Sequence, residues 1–531
     1  MKQGITNIFQ CITRLSLFIC VLLVSTSYSQ TKEPKHGSIL LNPIEFDREG
    51  VDLVGEEGFI FVPENRAADK SRMISVHFYR FPAKQNSGLA PVFILPGGPG
   101  GSFTYRSFYK HFSGIRAEFW VKELKALNQK RDVVIVNQRG NMRPPGLNTG
   151  DWRWGVEKAP VDKLETSKQA LARYAKGVRE GVEQWTKNGV DLAGYDIMNI
   201  SEDLEDLRIS LGYEKIALRG NSFGSQWSLA YMKRWPQHVD RAMLAGVEPL
   251  DFAWDSADWL WKALERLEKR ASATRRANIP EGGFLNAFKS VVAKLEEKGI
   301  EVELKTEKDT MKVMVGADDV RSAITSRMGR TRRQSLENWP RFIKDLQKGD
   351  FRFLAHNVAD DKESIYGGSM ITALIDNSLG ISDKRENVLN AEAAIQWLGD
   401  PNGYYKATRK ITPTPEVSDD FRFETPIDIP VLMIQGDLDF STPYENALHL
   451  KKFLKNGHLI TIVDGTHSAV GEAILHNESE AMKMFAFMDA DFSKTVPSRV
   501  FESIPERIEM PALDFNYSDE KSLYELMVEV Y

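Results

Sequence analysis

Cysteine is almost absent from this sequence. Its 531 residues hold two, Cys11 and Cys20, both within the first thirty positions. Long apolar runs are as scarce. LSLFICVLLV, Leu15 to Val24, stands out, and it lies in the same segment. Lys2 and Arg14 precede it, STSYS follows it, and Ser27 and Ser29 offer the small residues of a cleavage site. Residues 1–29 therefore read as an export signal. A retained membrane anchor is the alternative, although ten apolar residues are about half of what a spanning helix needs. Lipid attachment at Cys20 is disfavoured, because Ile19 is bulky and the apolar run continues past the cysteine. Removal of this segment leaves no cysteine, which excludes disulfides, a cysteine nucleophile and thiolate metal sites. An excess of one charge is lacking too. The chain has 69 basic and 74 acidic side chains, a net charge of −5, or −7 once Lys2 and Arg14 are gone. That balance gives no electrostatic case for nucleic acid. No second long apolar stretch follows, so no integral membrane anchor is expected after processing. The expectation is an exported protein, periplasmic or extracellular and bacterial.

What remains is ordinary globular composition, 42% apolar and 27% charged. GFIFV (58–62) and MISVHFYRF (73–81) read as strands, the second alternating as a half-exposed strand should. PVFIL (91–95) and VVIVN (133–137) are continuously apolar, as buried central strands are. The segment from Asp196 to Gly212 has helical spacing, with Ile200, Leu204, Leu207 and Leu211 on one face. KIALR returns as a strand, QWSLAYMKRW reads as a helix ending before Pro236, and RAMLAGV is the next strand. This alternation predicts an α/β fold with a parallel sheet. From about Pro249 to Pro426 the composition is mainly helical, and the strand pattern resumes at IPVLMIQGD and HLITIVDG. The expected organisation is a sheet core over residues 30–250 and 426–485, a large helical insertion over 251–425, and a carboxy-terminal extension over 486–531.

The chemistry concentrates in four loops. GNSFGS, Gly220 to Ser225, fits G-x-S-x-G between a strand and a helix. That context leaves the Ser222 hydroxyl proud of a sheet, with a helix amino terminus behind it, and marks it as a candidate nucleophile. A serine needs a base and an orienting acid, expected later in the chain in the order acid then histidine. IQGDLDFSTP offers Asp437 and Asp439 after one strand, and IVDGTHSAV offers His467 after another. Spacing alone does not separate the two aspartates; Asp464 reads as a turn residue. PGGPGGS, Pro96 to Ser102, is glycine-rich enough to present backbone amides, so Gly98 together with Phe223 is the candidate oxyanion pair. A phosphate-binding loop is the rival, but its lysine and its serine or threonine are missing.

These separated segments resemble the α/β-hydrolase superfamily, and within it the proline iminopeptidase and tripeptidyl aminopeptidase family of serine peptidases. GGPGG is similar to the family's HGGPG, with Pro96 for histidine. NQRGNMRP is similar to its DQRGxGxS, with Asn137 for aspartate and Pro144 for serine. The run from Ser201 to Pro249 is similar almost throughout, and GDLDFSTP corresponds to GxxDxxTP, which places the acid at Asp439. The insertion and the last 45 or so residues are less alike.

The resemblance implies an α/β-hydrolase sheet with a helical cap. It also implies an acyl-enzyme mechanism through Ser222, Asp439 and His467, with no cofactor or metal, acting on a peptide bond near a free amino terminus. The family reads the substrate's ammonium through carboxylates, which makes Glu248, Asp251, Asp255 and Asp258 candidates at the start of the insertion. Trp254 is a candidate pocket residue beside them, with Trp259 and Trp261. A carboxylic-ester hydrolase with the same triad is the alternative. A binding protein on a damaged hydrolase scaffold is disfavoured, since every catalytic residue type is in place.

Overall fold

The computed structural model describes residues 34–45, 53–103, 115–141, 153–273, 279–305, 309–327, 332–515 and 521–530. The segment expected to be a leader, with Cys11 and Cys20, and Pro144 lie outside them. Strands β1 (Ile39–Glu45), β2 (Val54–Pro63) and β3 (Met73–Phe81) form an antiparallel ribbon. Every residue of β4 (Val92–Leu95) and β5 (Val133–Val136) is buried, as their unbroken apolar sequences require of strands covered on both faces. Helix α1 (Ile115–Asn128) connects them. After the short β6 (Arg153–Gly155), α2 (Ser167–Lys187) begins at Thr166, whose hydroxyl accepts from the Gln169 N–H in a capping box. Helix α3 (Ile197–Ser210) is capped by Asp196, whose carboxylate accepts from the Asn199 N–H. Its Ile200, Leu204 and Leu207 are fully buried, each stabilising the fold by about 1.5–3 kcal/mol. Then come β7 (Ile216–Asn221), α4 (Phe223–Arg234) and β8 (Val239–Ala245).

The chain leaves the sheet after β8. The insertion holds α5 (Ala257–Ala273), a hairpin of β9 (Ile300–Lys305) and β10 (Thr310–Val315), and β11 (Tyr366–Ser369), which pairs with β6. It continues with α6 (Met370–Leu379), α7 (Asp383–Asn390) and shorter helices. The sheet resumes with β12 (Val431–Gly436), β13 (Gly457–Val463) and β14 (Arg507–Glu509). The architecture is a mixed α/β sheet core with a large, mainly helical cap, as the sequence led us to expect.

The ten strands run in the order β1-β2-β3-β5-β4-β7-β8-β12-β13-β14. From β5 onward every neighbouring pair is parallel. The loops leaving β4, β5, β7, β8, β12 and β13 therefore open on one edge of the sheet, where the candidate residues gather. One face of the sheet packs on α3, α4 and α6, the other on α1 and the segments around Ile474 and Phe487. The cap has its own core, and Leu438 and Phe440, the two neighbours of Asp439, are buried in it. Cap and candidate acid are thus packed as one unit.

Six strands were not read from the sequence: β1, β14, the β9–β10 hairpin, and the paired β6 and β11. The β9–β10 hairpin lies inside the stretch read as mainly helical, yet IEVELK alternates exposed and buried residues along β9. Strand β1 flanks the sheet with Leu40 and Leu41 exposed. Strand β14 buries only Ile508 of its three residues, too short a stretch to show a period. The carboxy-terminal extension docks on the core through Phe487, Met488, Ile504 and Ile508. Among the described residues no helix is long and apolar enough to cross a membrane.

Candidate active site

Ser222 sits between β7 and α4 with φ +56° and ψ −132°. A non-glycine residue in the positive-φ region costs about 1–2 kcal/mol, so the surroundings must hold it there. They do so closely. The Ser222 N–H donates to Ala245 O at 2.9 Å, and its carbonyl accepts from the Ser225 N–H at 2.6 Å and the Ser225 hydroxyl at 2.7 Å. The flanking glycines are needed for space. A Cβ on Gly220 would stand 2.3 Å from Gly224 O, and one on Gly224 only 2.1 Å from Leu95 O. Phe223 opens α4, so its N–H is among those a helix leaves without an intrahelical partner.

The imidazole of His467 packs on Gly246, where a Cβ would stand 2.9 Å from its Cε1. Gly246 directly follows Ala245, which binds the Ser222 N–H, so the serine turn and the histidine ring meet around the end of β8. Nδ1 of His467 lies 2.9 Å from Asp439 Oδ2 and 3.1 Å from Thr442 Oγ1. Asp439 is fully buried and surrounded by donors. Its Oδ1 accepts from the Ser441 and Thr442 N–H groups, both at 2.8 Å, and its Oδ2 from Gln435 Nε2 at 2.9 Å and the Thr442 hydroxyl at 2.7 Å. Burial alone would push this carboxyl up, but the His467 charge and the bonds from His467 and Thr442 outweigh it and hold the group below its usual range. An ionised Asp439 accepts only, so the Nδ1 that faces it carries a proton.

Asp437 is placed differently. Its Oδ2 pairs with Arg270 at 2.8 Å and its Oδ1 accepts from the Asp464 N–H at 2.8 Å. Asp464 is a turn residue with φ +58°. The structure brings Asp439, not Asp437, to His467.

The glycine-rich loop after β4 lies against the serine. A Cβ on Gly97 would be 2.9 Å from Ser222 Cβ, and Gly98 follows it with φ +125°. Gln138 holds this loop: its Oε1 accepts from the Gly100 N–H at 2.7 Å, and its Nε2 donates to Gly97 O at 3.1 Å and Pro96 O at 3.3 Å. Asn137 donates to Phe103 O and His77 Nδ1 and accepts from the Phe103 N–H, each at 2.7 Å. Arg139 makes a buried bidentate pair with Asp203 at 2.8 and 2.6 Å. From the cap, Thr372 on α6 donates to Pro99 O at 2.5 Å.

The candidate substrate contacts are spread over several tasks. Asp251 is buried and accepts from the Ser382 N–H at 2.7 Å and hydroxyl at 2.6 Å, fastening the start of α7. Asp258 accepts from the Ala394 N–H at 2.8 Å. Trp254 is 2% exposed and stacks on Tyr405, so it belongs to the packing of the cap. Trp261 packs beside Phe288, and Trp259 beside Phe252. The Glu248 N–H donates to the Ser225 hydroxyl at 2.8 Å, which places this residue beside the serine turn. The Asp255 N–H donates to Asn402 Oδ1 and the Asp255 carbonyl accepts from Asn402 Nδ2, both at 2.8 Å, and the Asp255 charge acts on Asp376.

Asp376 is a residue that sequence reasoning missed. It is buried on α6, one turn beyond Thr372 and on the same face. Burial pushes its carboxyl well above the ordinary range, the Tyr405 hydroxyl bond opposes that, and the nearby Asp255 charge adds to it. Its signal was a lone carboxylate inside the apolar run MITALIDNSL. Gln138, Gln435 and Thr442 were also missed, although all three stand in the quoted loops. Among the described residues no group of three or more His, Cys, Asp or Glu side chains is arranged to hold a metal ion.

Residues 90–280 match the family described as alpha/beta hydrolase fold, and residues 405–479 the family described as TAP-like protein. Serine protease Hip1 of Mycobacterium tuberculosis is 26% identical over 253 residues, 44% of either chain. This chain therefore spans less than half the length of that relative. Tripeptidyl aminopeptidase of Streptomyces lividans is 22% identical over 445 residues, 78% of either chain. Among solved structures, a serine hydrolase from the bacterium Cycloclasticus zankles aligns with a TM-score of 0.35 and 12% identity, covering 85% of this chain and 98% of that one.

Proposed function

The chain belongs to the α/β-hydrolase superfamily, and from that premise we propose that it is a serine aminopeptidase. In this reading it releases an N-terminal residue or short peptide through an acyl-enzyme. Ser222 is the nucleophile, His467 the base and Asp439 the orienting acid. His467 Nε2 takes the hydroxyl proton as Ser222 Oγ attacks the scissile carbonyl. The N–H groups of Gly98 and Phe223 receive the oxyanion, with Gln138 fixing the loop that presents one of them. His467 then protonates the leaving amine, and a water, activated by the same nitrogen, frees the acyl group.

One observation carries the peptidase half of the reading. Asp376 is a buried carboxylate that the Tyr405 hydroxyl meets and on which the Asp255 charge acts. It lies on the cap-helix face that touches the oxyanion loop. A substrate ammonium seated there pairs with the Asp376 carboxylate. Asp376 is therefore preferred to Asp251 and Asp258, whose carboxylates are engaged in holding the cap; Asp255, whose charge acts on it, and Glu248, beside the serine turn, are the further candidates. The aminopeptidase relative in Streptomyces is consistent with this reading. In the same reading the leader over 1–29 sends the protein out of a bacterial cell, and the core of 30–250 and 426–485 carries the cap of 251–425.

The test compares alanine-, proline- and tripeptide-anilides with their N-acetylated counterparts, using a short-chain ester as control. The aminopeptidase reading expects strong preference for the free amine. Ester cleavage with indifference to the amine would instead assign a carboxylic-ester hydrolase built on the same triad.

A further inference from the structure

Three cap arginines reach the two loops that carry Asp439 and His467. Arg266 on α5 donates to Asp437 O at 2.7 Å, and Arg333 donates to Asp464 O at 2.6 Å. Arg270, one turn after Arg266, does something else. Its Nη2 meets Asp437 Oδ2 at 2.8 Å and its Nε meets Asp464 Oδ1 at 2.5 Å. Asp437 lies two residues before Asp439, and Asp464 three before His467. One guanidinium thus bridges the acid loop to the base loop. The two carboxylate side chains are only 11% and 8% exposed, and the Asp464 N–H donates to Asp437 at 2.8 Å, so they are held close together. Burial raises the Asp437 carboxyl, Arg270 pulls it back, and the Asp464 charge raises it again.

We infer that Arg270 is a positioning residue for the reaction: by neutralising Asp437 and Asp464 together, it keeps the two loops in the register that sets the 2.9 Å contact between His467 and Asp439. The inference rests on the serine-hydrolase reading above. Without the guanidinium, two buried like charges face each other at the roots of both loops. Arg266 and Arg333 still tie main-chain atoms to the cap, so the fold survives while the register loosens. The cap is then part of the catalytic frame as well as a cover.

The experiment uses the full chain and 4-nitrophenyl acetate. Arg270→Gln should lower kcat by about 30- to 100-fold, the scale of a misplacement near 1 Å, with little change in KM. Adding Asp437→Asn to that variant removes the repulsion and should restore most of the loss. The low-field proton resonance of the His467–Asp439 hydrogen bond should vanish in the single variant and return in the double one. Should Arg270→Gln fail to fold, Arg270→Lys keeps a charge that reaches one carboxylate at a time and should give an intermediate kcat. Wild-type kcat in either single variant, or no recovery in the double variant, overturns the inference. Its failure is distinct from failure of the underlying reading, which would appear as equal ester turnover in the parent protein and in Ser222→Ala.

Discussion

Replacing Asp439 by asparagine changes one atom and should stop the proposed reaction. Oδ1 of Asp439 accepts two main-chain N–H groups at 2.8 Å, and asparagine keeps that oxygen. The new NH2 then takes the place of Oδ2, facing Gln435 Nε2 at 2.9 Å, the Thr442 hydroxyl at 2.7 Å and His467 Nδ1 at 2.9 Å. The hydroxyl can rotate and accept. The imidazole can accept only by moving its proton to Nε2, which removes the lone pair needed to take the Ser222 proton. The negative charge that steadies the imidazolium is lost as well. Together these should cost about 10⁴ in kcat, or about 5 kcal/mol of transition-state stabilisation. Gln435 keeps its bonds to Thr442 O at 2.6 Å and from the Val247 N–H at 2.8 Å, but the N–H that loses its acceptor adds about 1–3 kcal/mol of lost folding stability. Asp437→Asn is the matched control, since Arg270 remains paired with Asp464, and its kcat should fall by no more than about fivefold. The assay is steady-state hydrolysis of 4-nitrophenyl acetate and of the best anilide, with thermal melts alongside. An Asp439→Asn enzyme within tenfold of the parent, or an Asp437→Asn enzyme that is the worse of the two, refutes the reasoning.

Gln138→Leu removes the side chain that holds the Gly97–Gly100 loop and should lower kcat by about 100-fold with KM nearly unchanged; a raised KM at constant kcat would place Gln138 in substrate binding instead. Asp376→Asn should weaken free-amine anilides far more than the ester; equal losses on both would remove it from ammonium recognition. The same variant should melt higher at neutral pH. Burial holds the folded-state carboxyl above its unfolded value of about 3.9, so the stability linked to its proton is present below that value and lost as pH rises toward the folded one. Asparagine removes that titration, and a lower melting temperature at pH 7 would contradict the sign. Asp439 works the other way: its depressed carboxyl gives stability above the unfolded value that is lost as pH falls through the folded one, so an acid titration of Asp439→Asn should show a shallower loss than the parent.

Much of this was legible in the residues because the signals were local. The unbroken runs VFIL and VVIV can only be buried strands, and the stripe of Ile200, Leu204 and Leu207 can only be one helix face. Gly220 and Gly224 announced the serine turn because no side chain fits there. Asp437 and Asp439 could not be ranked by spacing, since both follow the same strand and only the path of the loop turns one of them to His467. The cap was the least legible part. Asp251, Asp258 and Trp254 have the chemistry of recognition, yet their contacts are with Ser382, Ala394 and Tyr405 across more than 100 residues of sequence. Asp376 and Arg270 acquire meaning only through partners that the fold brings to them, and no period or motif marks such pairs.

The most direct test is intact-protein mass spectrometry after treatment with diisopropyl fluorophosphate, followed by peptide mapping. A serine hydrolase working through Ser222 should take up one phosphoryl adduct, carried by the peptide containing Ser222, and Ser222→Ala should take up none. An adduct on another residue, or equal labelling of the parent and the variant, would contradict the assignment of the nucleophile and the mechanism built on it.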